Sequence, residues 1–149
     1  MSTATAGSAQ SQGAVSAVRN GIIAGVIGGV VFGMLMAMMN MLPMVAALVG
    51  SDNAIVGFVV HLVISAGIGG SFGLLAALLS LKGRTRLLVA GMIYGVIWWV
   101  LGALILMPLM LGMSAMVLQI GDTQWASLMG HAIFGLITGY VYAALGHRG

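Results

Sequence analysis

Apolar residues run almost unbroken through four stretches, about 20–42, 54–80, 87–108 and 124–146, and polar residues collect between them. Each run matches or exceeds the roughly 20 helical residues that cross a ~30 Å hydrocarbon layer. Uncharged runs of that length predict helices, because a lipid environment leaves no partner for unpaired backbone. Pro43 and Pro108 predict the ends of the first and third runs. "GSDN" (50–53) and "GDTQ" (121–124) place Asp52 and Asp122 where the N-caps of the second and fourth helices belong. "KGRTR" (82–86) separates the middle pair. "MVAALVG" (44–50) and "PLMLGMSAMVLQI" (108–120) are too apolar for solvated loops. They predict short helices lying in the interface or, for the second, an extension of the third run.

Within the runs, small residues recur every fourth position. The first carries Gly21, Gly25, Gly29 and Gly33. The second carries Gly57, His61, Ser65, Gly69, Gly73 and Ala77, and the fourth Ser127, His131, Gly135, Gly139 and Ala143. In water each interior Gly costs a helix about 1 kcal/mol relative to Ala. Between helices in lipid, such a ridge lets backbones approach closely. Gly21, Gly25, Gly29, Gly33, Gly69, Gly73, Gly135 and Gly139 are therefore expected at helix-packing surfaces.

The two halves also resemble each other. A shift of 66 lays Ala24-Gly25 on Ala90-Gly91 and Gly29 on Gly95; a shift of 70 lays Asp52 on Asp122, His61 on His131 and Gly69 on Gly139. Two spans per copy give both copies one orientation, related by a pseudo-two-fold axis along the membrane normal. The expected fold is an all-α integral membrane four-helix bundle made of two same-orientation helical-hairpin repeats.

Composition agrees. Hydrophobic residues make up 61% of the chain and charged ones 5%, against roughly 25% charged in soluble domains. Residues 1–18, small, polar and uncharged, read as a flexible cytoplasmic tail, leaving 19–149 as one transmembrane domain. Arg19, Lys82, Arg84, Arg86 and Arg148 fall on one side of a four-span chain, and Asp52 and Asp122 on the other. The positive-inside rule then puts both termini in the cytoplasm of a multi-pass cell-membrane protein. The partners expected are the bilayer and a homo-oligomer or larger membrane complex, with no nucleic acid. The chain has no cysteine, which excludes disulfides and thiolate chemistry.

Candidate chemistry is sparse. His61 and His131 each lie nine residues after an Asp, hence ~13 Å along a helix and near mid-bilayer. Trp98 and Trp99 are expected at the same depth. An ionisable residue inside a span is a functional candidate. The two imidazoles have three readings: interhelical hydrogen bonds, bis-histidine ligation of haem b, or a proton, ion or metal path. Methionine is abundant, 13 of 149 residues, and clusters toward the Asp side of the first and third runs. Met34, Met38, Met107 and Met110 are candidate thioether ligands for copper, against the alternative that Met fills irregular gaps.

No HExxH, paired carboxylate or nucleophile–base arrangement occurs, so an enzyme is not expected. In general form the four spans resemble small four-span membrane proteins of prokaryotes with no assigned activity. The expectation is a non-enzymatic structural or assembly component; the alternatives are a small ion, proton or copper conduit and a b-type haem protein.

Overall fold

The structure, a computed structural model, describes residues 3–146, with side chains described from Gly13 onward. The described residues form helices and short connections, with no strand. In chain order these are α1 (Thr3–Met38), α2 (Leu42–Ala46), α3 (Ala54–Leu78), α4 (Arg84–Trp98), a π-helical stretch (Trp99–Leu106), α5 (Met107–Met110) and α6 (Asp122–Gly146). Four helical stretches are long and apolar enough to cross a membrane: Gly13–Met38, Ala54–Leu78, Arg84–Met110 and Asp122–Gly146.

Several boundaries differ from expectation, each for a local reason. Residues 3–18, read as a tail, are helical and continuous with α1; Ala, Ser and Gln permit this and no Pro forbids it. α1 ends at Met38, before Pro43, where Asn40 takes a left-handed φ of 53°. Pro43 instead opens α2, where its missing N–H has no intrahelical partner to lose. Pro108 likewise sits in the first turn of α5, so the third span runs through it to Met110. The cap of α3 is Asn53, not Asp52: its side chain accepts from the N–H groups of Ile55 (2.8 Å) and Val56 (3.4 Å). Asp122 is the first residue of α6 rather than its cap, and Gln124 Oε1 reaches back to the Gly121 N–H at 3.0 Å.

The helices pair through their small residues. α1 lies along α3, and α4 along α6. A Cβ placed on Gly25 would strike the Ser65 carbonyl oxygen and come within 2.6 Å of the Gly69 Cα. One placed on Gly91 would strike the Gly135 carbonyl oxygen and come within 3.0 Å of the Gly139 Cα. Gly21 meets Gly69 and Gly73, and Gly33 meets the Phe58 ring. Gly29 abuts the Ser65 side chain, while Gly95 abuts the His131 carbonyl. Backbone thus touches backbone in both pairs, with no room for a methyl group.

The pairs join unequally. α1 packs on α6, where Gly28 faces Thr138 and Phe134 and the Phe32 ring fills the space beside Gly130. α3 and α4 barely meet. α2 tucks into the bundle at the Asp end, its Leu42 carbonyl against Gly57 and its Leu42, Val45 and Ala46 side chains buried. Large apolar side chains such as Val30, Val59, Val63, Ile93 and Leu101 stay exposed around the outside. At the Arg end, Phe72, Ala76, Leu87 and Ala143 form a second core, and Arg84 stacks over the Tyr140 ring at 4.4 Å.

Candidate functional site

His61 and His131 reach one place by the same means. Each occupies a small-residue ridge that its helix presses on a glycine-bearing partner, so each faces protein. The His61 Nε2 lies 3.0 Å from the Gly29 carbonyl oxygen, with Ser65 Oγ at 3.5 Å. The His131 Nδ1 lies 2.8 Å from the carbonyl oxygen of Ser127, one turn earlier, with Ser127 Oγ at 3.3 Å. A carbonyl oxygen only accepts. His61 is therefore protonated on Nε2 and His131 on Nδ1.

Phe32 from α1 joins the two rings. Its centroid is 5.2 Å from that of His61 and 4.7 Å from that of His131, both contacts edge-on. These contacts do not fit haem ligated between the two histidines. Each imidazole packs on a phenyl ring, and the Nε2 of His61 is committed to Gly29.

Both histidines line a cavity of about 350 Å³ at the Asp half of the bundle. Phe32, Met36 and Phe134 form its α1–α6 wall, and Met41, Met44 and Val45 come from the α1–α2 segment. Ile64 and Ile68 of α3 line it, as do Trp98, Gly102 and Ala103 of the third span. Thr123, Gln124 and Ser127 supply polar groups near the start of α6. The π-helical stretch carries Gly102, which has no side chain, and Ala103, which has only a methyl group; a Cβ at Gly102 would meet only the Trp98 ring, at 3.7 Å. The Trp99 Nε1 ties this stretch to α6 by donating to the Gln124 carbonyl at 3.0 Å, and its ring stacks on Trp125. Among the described residues, no charged side chain lines the cavity.

The other sequence candidates scatter. Met107 and Met110 line the cavity, but Met34 and Met38 are 59% and 84% exposed and stand off its wall, so these four do not converge. Met36, Met41 and Met44 are the α1–α2 thioethers on the cavity; their neighbours in the cluster gave no sequence signal to tell them apart. No group of three or more His, Asp or Glu suited to a metal occurs among the described residues. Gly95 abuts the His131 carbonyl; Trp98 lines the same cavity as the two imidazoles, and Trp99 reaches the Gln124 carbonyl. Sequence reasoning missed Phe32 altogether, because a lone Phe in an apolar run carries no periodic mark.

No known protein family, curated protein or solved structure compared with the chain matches it.

Proposed function

We propose that the protein is a non-enzymatic integral membrane protein that holds a small apolar molecule drawn from the bilayer. The observation that carries this reading is the 350 Å³ cavity: apolar walls with a few convergent polar groups, between helices that elsewhere touch backbone to backbone. A purely structural or assembly component has no need of such a space. The exposed apolar side chains on every long helix support insertion in a membrane. The one-sided Lys and Arg residues support cytoplasmic termini and a cytoplasmic 82–86 loop. The repeat reading is supported by matched contacts: Gly25 meets Ser65 and Gly69 as Gly91 meets Gly135 and Gly139, at the same offsets of 66 and 70.

Native mass spectrometry of protein extracted with its own lipids tests this. The wild-type chain should carry an added small-molecule mass, and Ala103→Phe, which fills the cavity, should lose it. Equal occupancy in both would place the molecule elsewhere and defeat the reading.

A second reading, a soft-metal site, is favoured by the thioethers of Met36, Met41, Met44, Met107 and Met110 on the same wall. Titration with Ag(I) separates the two. A stoichiometric site abolished by Met107→Leu with Met110→Leu would support metal.

A further inference from the structure

The hydrogen bonds around His131 restrict what the cavity can take. With Nδ1 protonated and donating to Ser127, the neutral ring carries its lone pair on Nε2. That nitrogen has no protein partner among the described residues. Nor is it sealed away, since the buried polar side-chain atom left unpaired among them is Thr138 Oγ1. It belongs to a ring on the cavity wall. His61 Nδ1 carries the corresponding lone pair, also without a protein partner among the described residues, but that residue is the more enclosed of the pair, at 8% exposure. An occupant beside His131 therefore meets an acceptor and needs a donor.

The wall narrows the choice of donor. With no Asp or Glu on it, an ammonium would be desolvated without a counter-charge. With no Lys or Arg, a carboxylate or phosphate headgroup fares no better. A neutral donor remains the fitting head, an O–H being the simplest, and the apolar lining fits its body.

The route in follows from how the two joints of the bundle differ. At the repeat offsets, Tyr94 of α4 takes the place of Gly28 of α1, and Val60 of α3 the place of Gly130 of α6. Gly28 and Gly130 let α1 close on α6. Tyr94 instead stands between α4 and α3, its hydroxyl 2.7 Å from Ser71 Oγ and 3.1 Å from the Ile68 carbonyl. Beside this prop, Ile64 and Ile68 of α3 and Trp98, Gly102 and Ala103 of the third span all line the cavity.

We propose that the cavity takes a neutral lipid-soluble alcohol or phenol, which enters between α3 and α4 and donates its hydroxyl proton to His131 Nε2. This rests on the small-molecule reading above. The test compares para-hexylphenol with its methyl ether, para-hexylanisole, in micelles. Binding is read from tryptophan fluorescence, corrected for partitioning into detergent, with Trp98→Phe as the control for the site. The phenol should bind about tenfold more tightly than the ether, the worth of one hydrogen bond. His131→Phe should remove that advantage and leave the ether unchanged. In parallel, NMR of nitrogen-labelled histidine in the wild-type chain should show the unprotonated His131 nitrogen shifting with phenol and not with ether, a readout independent of whether the variant folds. Equal binding of the two probes, or an unmoved His131 signal, overturns the hydroxyl assignment and leaves the cavity reading standing. Binding of neither probe defeats both.

Discussion

A single methyl group separates the two kinds of glycine in this chain. Gly25 and Gly91 are pressed on backbone, where nothing flexible can give way. Gly67 has nothing within 4 Å of a Cβ. Gly25→Ala and Gly91→Ala should each lower stability by about 1–3 kcal/mol, the usual range for overpacking. Gly67→Ala should be neutral or slightly stabilising, since Ala is the better helix former. Thermal unfolding in detergent checks the contrast, and equal tolerance at the three positions would contradict close backbone packing. Thr138 offers the opposite case. Its side chain is fully buried against α1, and its hydroxyl has no hydrogen-bond partner. An unpaired buried hydroxyl costs about 1–3 kcal/mol. Thr138→Val keeps the shape and removes the hydroxyl, so the same assay should show unchanged or raised stability. A clear loss would mean that the hydroxyl contributes where it sits.

At the level of elements, the two helix pairs are held by different means at their two joints. Contact between small residues closes α1 on α6, whereas Tyr94 ties α4 to α3 through Ser71 and the Ile68 carbonyl. Tyr94→Phe should cost about 1–2 kcal/mol, the sum of two modest hydrogen bonds. Ser71→Ala should cost less, because the Tyr94 hydroxyl keeps the Ile68 carbonyl as its acceptor at 3.1 Å. The double variant should lose less than the two single losses added, since one shared bond is counted in both. Strict additivity in thermal unfolding would remove Tyr94–Ser71 from the joint. The four long helices were legible in the sequence because length and hydropathy alone define them. The glycine ridges were legible because period four survives in any packing partner. Which neighbour each ridge meets was not, since the same small row suits several helices. The caps were misplaced by a residue because Asn53 and Asp52 are both good caps and only geometry chooses between them. The π-helical stretch left no mark, because "WVLGALIL" has ordinary α-helical composition. His61 and His131 could be picked out as polar residues in apolar runs. Their shared contact with Phe32 could not.

For the molecule as a whole, the proposed setting assigns different surroundings to its two ends. The Asp end carries α2, the segment 111–121 and the mouth of α6; the Arg end carries Lys82, Arg84 and Arg86 with the Phe72–Leu87 core. Few charges exist to set the orientation, and every basic residue lies on the same side of a four-span chain. Arg148 falls outside the described residues, so the argument at that end rests on the 82–86 loop and Arg19. The absence of cysteine makes a clean measurement possible, because any introduced thiol is the sole one. Ser51→Cys and Gln119→Cys report on the two connections at the Asp end, and Thr85→Cys on the Arg end. Ser51 and Cys are nearly isosteric, while Gln119 and Thr85 are exposed, so all three should leave the fold intact. A membrane-impermeant maleimide applied to intact cells should label positions 51 and 119. Position 85 should react only after permeabilisation. Labelling of position 85 alone would invert the orientation and leave the four crossings intact. Labelling that differs between 51 and 119 would break the crossing count itself, since those two connections share a side only if α3 and the third span form a complete return across the bilayer.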